Sequence, residues 1–74
     1  MIEPPFVYID PYTLATADEA LAEVGCVLAH MQDVATGLTE EDIANGVALE
    51  WFADRTDWLK RYFERAEALV LTNE

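Results

Sequence analysis

Residues 39–71 restrict the fold most, because they predict one long helix with a very wide apolar face. Thr39 and Asp42 form a capping pair, Glu40 and Glu41 place negative charge in the first turn, and no proline follows. At about 100° per residue, the apolar side chains fall within an arc of about 200°. The arc comprises Ile43, Ala44, Val47, Ala48, Trp51, Phe52, Trp58, Leu59, Tyr62, Phe63, Ala66, Leu69 and Val70. A single neighbouring helix covers about 100°, so we expect two neighbours.

A chain of 74 residues cannot easily supply both neighbours itself. Ordering costs about 1.5 kcal/mol per residue, which a lone pair of helices does not offset. One cysteine also cannot form an internal disulfide. We therefore expect an all-α fold in a single domain, residues 1–74: an antiparallel two-helix hairpin with an extended N-terminal arm, dimerising into a four-helix-type bundle.

The first helix is predicted at residues 17–36, with helix 2 at residues 40–71. Thr16 and Glu19 form a capping box, and Gly37 can adopt the left-handed conformation that closes a helix. The apolar side chains of helix 1 span about 140°, which suits one main partner. The connection at Gly37 is short enough to force an antiparallel arrangement. Asn45-Gly46 is the weak point of helix 2, because glycine costs about 1 kcal/mol inside a helix. The pattern leaves open whether the helix is continuous here, is kinked, or is crossed closely by another helix.

The arm, residues 1–15, is predicted to be extended. Pro4 and Pro5 restrict its backbone, and residues 6–9 (FVYI) alternate between aromatic and β-branched side chains. Its apolar content is too high for a free tail, so we expect it to lie along the helices. The alternative is pairing with a symmetry mate as a two-stranded ribbon.

The formal net charge of −11 is distributed unevenly. Eleven of the fifteen acidic residues precede Arg55, whereas all four basic residues lie from Arg55 onwards. This disfavours direct nucleic-acid binding and attachment to a membrane, and it favours a protein with a basic surface patch as partner. The predicted partner-facing acidic surface comprises Glu19, Glu23, Asp33, Glu40, Glu41 and Asp42. Without a signal peptide or an apolar run of about 18 residues, we expect a cytoplasmic protein.

Few residues suggest chemistry. Cys26 and His30 lie four residues apart on helix 1, but two ligands do not complete a metal site unless a dimer axis joins two pairs. The simpler interpretation is a small apolar cysteine and a partly exposed histidine. No triad, phosphate loop or carboxylate pair is present, so we expect neither enzyme activity nor a cofactor, metal or small-molecule substrate. Arg55 is expected to pair with an acid on helix 1 or on another subunit.

The aromatic half of helix 2 is the predicted dimer or partner interface. Its residues are Trp51, Phe52, Arg55, Trp58, Leu59, Tyr62, Phe63, Ala66, Leu69 and Val70. Whether these aromatic side chains form core, dimer seam or recognition surface is left open by the pattern alone.

The extended aromatic arm, the capped segment TADEALAEVGCVLAHM (residues 16–31) and the second long helix resemble small bacterial and prophage-encoded helical-hairpin proteins of unknown function. The resemblance covers residues 6–35 and implies a helical fold. In size and acidity the chain is also similar to small phage inhibitors that block host proteins. From the wide aromatic face and the one-sided acidic surface, we expect a non-enzymatic module that binds and inhibits or regulates a host protein, and the similarity in size and acidity suggests that it is phage-encoded. The alternatives are a nucleic-acid mimic that occupies a DNA-binding groove and a subunit of a toxin–antitoxin or other regulatory complex.

Overall fold

The computed structural model describes residues 6–72 as an all-helical chain, which confirms the predicted fold class. Of these residues, 81% are helical and none lies in a strand. A short 3-10 helix at Pro11–Thr13 precedes α1 at Ala17–Thr36, α2 at Glu40–Ala44 and α3 at Val47–Thr72. The part of the expected arm at residues 1–5 lies outside the described residues.

Residues 6–10 of the arm lie in neither a helix nor a strand, and the backbone is extended at Asp10, where the 3-10 helix begins. Asp10 fixes the turn: its Oδ1 accepts the Tyr12 N–H at 3.0 Å, and its carbonyl oxygen accepts the Thr13 N–H at 3.0 Å. Pro11 suits the first helical position because its fixed φ is preorganised for a helix. The turn delivers Leu14 into the core, where only 6% of its surface remains exposed.

Thr16 is the N-cap of α1, as the sequence pattern predicts, but its second bond to Glu19 comes from its hydroxyl and not from the backbone N–H of a capping box. The Glu19 N–H donates to Thr16 Oγ1 at 3.1 Å, and this hydroxyl donates to Glu19 Oε1 at 3.1 Å. The helix ends before Gly37, but the expected left-handed glycine is not found there, since φ of Gly37 is −97°. The Gly37 N–H instead closes a tight last turn on the Val34 carbonyl at 3.1 Å.

The second helix is not continuous, contrary to the prediction of a single helix over residues 40–71. Gly46 has a φ of +74°, which interrupts the helix and separates the five-residue α2 from α3. The Asn45 and Gly46 N–H groups donate to the Glu41 and Ile43 carbonyls at 3.0 and 3.1 Å and so close α2. Glycine tolerates this left-handed conformation, which explains the break at this residue.

The core forms where α1 packs against α3. Leu14, just before α1, contacts Arg65, whereas His30 near the other end of α1 contacts Trp51, so the two helices run in opposite directions. The main buried cluster comprises Leu14, Ala20, Val24, Val27, Tyr62 and Ala66. The molecule measures 49 × 18 × 15 Å, and its Cα radius of gyration is 14.3 Å. A compact domain of this length would have a radius of gyration of about 11 Å, so the packed layer is unusually long and thin.

Candidate interaction surfaces

An aromatic seam joins the arm to the two helices. Its members are Phe6, Tyr8, His30, Trp51, Arg55, Trp58 and Tyr62. Phe6 stacks on His30 with ring centroids 4.5 Å apart, and Tyr8 stacks on Trp58 at 4.9 Å. Each such ring pair contributes about 0.5–1.5 kcal/mol beyond the apolar area it buries. The seam therefore gives the arm a specific position on the helices.

Two side chains of α3 also hold the arm by hydrogen bonds to its backbone. Tyr62 is fully buried, and its hydroxyl donates to the Ile9 carbonyl at 2.7 Å. Arg65 donates from Nε and Nη2 to the Leu14 carbonyl at 3.2 and 2.8 Å. Burial raises the pKa of the Tyr62 phenol above its ordinary value of 10.0, and the negative charge of Glu23 raises it further. Tyr62 therefore remains a neutral hydrogen-bond donor throughout the physiological pH range.

The sequence interpretation of His30 as a partly exposed polar residue is wrong. His30 is only 5% exposed, because the Phe6 ring covers one face and the Trp51 ring lies 5.4 Å away. Cys26 is exposed on α1. Within the described part of the chain, no three His, Cys, Asp or Glu side chains come together in an arrangement that could hold a metal ion.

Arg55 is the one basic residue near the acidic half of the chain, and it is largely covered. Its guanidinium carbon lies 4.3 Å from the Trp51 ring and 5.4 Å from the Tyr8 ring. Its Nη1 lies 2.6 Å from an oxygen of Asp54, which is an ion pair between neighbouring residues of α3. The expected pair with an acid on helix 1 or on another subunit stays a prediction. The Arg55 side chain is 16% exposed, because the arm and Trp51 enclose it.

The side of the α1/α3 layer opposite the arm is apolar and open. Both helices are right-handed and run in opposite directions, so a residue that follows an inward-facing position on either helix lies on the same side of the layer. Six apolar side chains occupy such positions, and we call them the bare side: Leu21, Leu28, Phe52, Leu59, Phe63 and Val70. Leu28 is 50% exposed, and Phe63 and Val70 are each 52% exposed. Arg61 and Arg65, which precede the buried Tyr62 and Ala66, flank the arm on the other side.

The ten residues predicted as an interface are thus divided between two environments. Trp51, Tyr62 and Ala66 are buried in the chain's own core, and Arg55 and Trp58 contact the arm. The remaining five are half-buried or exposed: Phe52, Leu59, Phe63, Leu69 and Val70. Leu21 and Leu28 belong to the apolar face of helix 1 that was predicted to pack against one main partner. In the structure, each is about half exposed. Their position one residue after a buried side chain is the signal that could have placed them on the bare side.

The acidic residues concentrate at the end of the molecule where α1, α2 and the first turns of α3 meet. We call this the acidic end, and it comprises Asp33, Glu40, Glu41, Asp42, Glu50 and Asp54. Glu40 and Glu41 are exposed, whereas Asp42 closes the α2 capping box. A hydrogen bond from the Thr39 N–H lowers the pKa of Asp42 below its ordinary value of 3.8, which keeps this carboxylate charged.

The predicted acidic surface is not one contiguous patch. Asp33, Glu40, Glu41 and Asp42 belong to the acidic end, but Glu19 and Glu23 lie on the first two turns of α1. Ten residues separate Glu23 from Asp33, which corresponds to about 15 Å along a helix. Glu19 is moreover hydrogen-bonded to Thr16.

A groove of about 710 Å³ runs between the arm and the C-terminal half of α3. Tyr8, Tyr12 and Trp58 supply its aromatic walls, and Asp10 and Glu64 offset the charges of Arg61 and Arg65. Both arginines already have partners: Arg61 pairs with Asp57 at 3.0 Å, and Arg65 binds the Leu14 carbonyl. The groove therefore offers little charge with which to select a ligand.

Comparison with protein-family models, with curated proteins and with solved structures finds no match to this chain. Among the described helices, none combines the length and the apolar character needed to cross a membrane. Any functional assignment therefore depends on the surfaces described above.

Proposed function

We propose that this chain is a non-enzymatic protein-interaction module, an antiparallel helical hairpin that forms a homodimer and binds a protein with a basic surface patch. Binding of this kind would inhibit or otherwise regulate the partner. The observation that carries the proposal is the separation of charge along the molecule. Six carboxylates gather at the acidic end, and the nearest basic residue, Arg55, is covered by the arm and paired with Asp54.

Such a charge distribution is suited to steering a basic partner. Unscreened surface charge of one sign raises the association rate with an oppositely charged protein, and it repels partners of the same charge. Arg55 neutralises one of the six carboxylates through its pair with Asp54, which leaves five negative charges at this end. A nucleic acid or an anionic membrane would need a cluster of unbalanced positive charge. The groove does not provide one, because Asp10 and Glu64 lie beside Arg61 and Arg65.

The test compares two variants that lose the same number of negative charges. The first carries Asp33→Asn, Glu40→Gln and Glu41→Gln at the acidic end and leaves the capping residue Asp42 intact. The second, the matched control, carries Asp18→Asn, Glu64→Gln and Glu67→Gln elsewhere on the surface. A partner is first identified by affinity capture with the wild-type chain, and its affinity for all three proteins is then measured between about 50 and 150 mM salt.

We expect affinity for the wild-type chain and the control to fall as salt rises, and affinity for the first variant to be lower and to depend less on salt. Equal losses in both variants would attribute the effect to net charge and contradict a role for the acidic end. An affinity that is unaffected by salt in the wild-type chain would remove the electrostatic basis of the proposal. Competition by duplex DNA for the same partner would favour the nucleic-acid mimic instead.

A further inference from the structure

The α3 part of the bare side has the spacing of a helix–helix seam. Seven uncharged residues follow one another at alternating intervals of three and four positions: Leu49, Phe52, Thr56, Leu59, Phe63, Ala66 and Val70. This is the heptad spacing by which one helix packs along another. Leu49 is 79% exposed, and Phe63 and Val70 are 52% exposed, so most of this stripe is open in the single chain.

We infer that the bare side binds a second copy of this chain, with α3 lying antiparallel to its symmetry mate and crossing it near Leu59. The inference rests on the proposed function, because it specifies the surface and the orientation of the dimer proposed there.

The exposed area of the single chain supports a second copy as the occupant. The chain exposes 5159 Å², whereas a compact monomer of its mass, 8.3 kDa, exposes about 4,600 Å². The surplus of about 600 Å² approaches the roughly 800 Å² that each partner buries in a standard interface. A second layer stacked on the bare side would also bring the thin molecule, 15 Å in its shortest dimension, closer to globular proportions.

The symmetry of a dimer then places the crossing point. In a two-fold dimer the same surface is used by both copies, so the stripe must superimpose on itself. When the helices are antiparallel, covering the whole stripe requires the axis to pass near its midpoint, which falls at Leu59. Phe63 then lies opposite the smaller Thr56 of the other copy. Phe52 lies opposite Ala66, which is 7% exposed and forms the boundary between the stripe and the chain's own core. Large side chains facing small ones allow the two helices to approach closely.

The charge distribution selects the antiparallel orientation over the parallel one. A parallel pair would place the two acidic ends side by side, within the distance of about 8 Å over which salt screens only partly. The antiparallel pair places them at opposite ends of the dimer. Each acidic end then lies beside the half of α3 in the other copy where Lys60, Arg61 and Arg65 are balanced by Asp57, Glu64 and Glu67, so the repulsion is removed.

Disulfide cross-linking in a Cys26→Ala background tests this orientation. Leu59→Cys should form a covalent dimer on mild oxidation, since the two sulfur atoms meet at the axis. Leu49→Cys alone should not, because antiparallel helices crossing at Leu59 separate the two Leu49 positions by about 30 Å along the axis. An equimolar mixture of Leu49→Cys and Val70→Cys should cross-link to each other.

Mass in solution, measured by light scattering, separates failure of the dimer from failure of its orientation. A monomer at high micromolar concentration would overturn this inference together with the proposed dimer. A dimer in which Leu49→Cys links to itself would overturn only the antiparallel orientation. Partner binding that does not depend on salt, in a protein that still cross-links through Leu59→Cys, would contradict the proposed function and leave this inference intact.

A pair of charge insertions tests the surface itself. Phe63→Glu on the bare side should weaken dimerisation about thirtyfold or more, the loss typical of a residue at the centre of an interface. Val7→Glu is the matched control, because Val7 is 84% exposed but belongs to the arm on the other side. Equal weakening by both substitutions, with helical content retained by circular dichroism, would show that the bare side is not the interface.

Discussion

The two sides of the α1/α3 layer use similar side chains in different ways. On the arm side, Phe6 stacks on His30 and Tyr8 stacks on Trp58. Tyr62 and Arg65 of α3 also donate hydrogen bonds to backbone carbonyls of the arm. On the bare side, Leu21, Leu28 and Phe63 are each about half exposed, whereas Phe52 and Leu59 are partly buried. The first side forms a specific intramolecular contact, whereas the second exposes an apolar surface of the kind that often marks an interaction site.

The adjacent residues Tyr62 and Phe63 give the largest expected contrast between the sides. Tyr62→Ala removes a fully buried ring and should lower the free energy of unfolding by about 3–5 kcal/mol. Phe63→Ala removes a ring that is 52% exposed and should lower the stability of the monomer by only about 1 kcal/mol. Urea denaturation followed by circular dichroism at two protein concentrations measures both effects. Similar losses at low concentration, where a dimer dissociates, would contradict the distinction between the sides.

The attachment of the arm through Arg65 should give the next largest effect. Arg65→Met removes two charge-assisted hydrogen bonds to the Leu14 carbonyl, at a cost of about 2 kcal/mol. Arg61→Met is the control, since its exposed pair with Asp57 is worth about 0.3–0.5 kcal/mol. A red shift of tryptophan emission in the first variant alone would report that the arm has left Trp58 and Trp51. Equal stability of the two variants would mean that the arm is held by its rings without Arg65.

Local chemistry in the sequence was enough to predict much of this fold. Thr16 with Glu19 and Thr39 with Asp42 are capping pairs whose partners lie three residues apart, so tertiary context does not alter them. The division of the aromatic arc could not be predicted in this way. It depends on contacts such as Tyr62 with Ile9, which are 53 residues apart and form only once the arm is in place. The burial of His30 beneath Phe6 has the same origin.

A substitution at the break between α2 and α3 should change stability less than the preceding ones. The break belongs to neither the arm side nor the bare side. Gly46→Ala should cost about 1–2 kcal/mol, because φ is +74° and no heavy atom lies within 4 Å of the added methyl group, so backbone strain alone acts. Gly25→Ala, in the middle of α1 and equally open, should instead stabilise the chain by about 0.5–1 kcal/mol. Thermal unfolding of both variants checks the opposite signs. A gain in helical content with no loss of stability in Gly46→Ala would show that α2 and α3 can merge into the continuous helix predicted from sequence.

The smallest expected effect concerns the phenol of Tyr62 and its dependence on pH. Tyr62→Phe removes the hydrogen bond to the Ile9 carbonyl and should lower stability by about 1 kcal/mol at pH 7. The pKa of Tyr62 is higher in the folded chain than in the unfolded chain, where it is close to 10.0. Its stabilising contribution is therefore complete below pH 10 and is lost as pH rises through the folded value, because the unfolded state gives up the proton first.

The difference in stability between wild type and Tyr62→Phe should consequently shrink as pH rises above about 10. Urea denaturation at pH 7, 9 and 10.5 measures this difference. Tyr12→Phe is the control, since Tyr12 is 83% exposed and its removal should leave the pH dependence unchanged. A difference that stays constant across this range would mean that Tyr62 titrates in the folded chain as it does in the unfolded one. The arm would then seal the buried phenol less completely than its contacts indicate, and the contrast between the arm side and the bare side would be weaker.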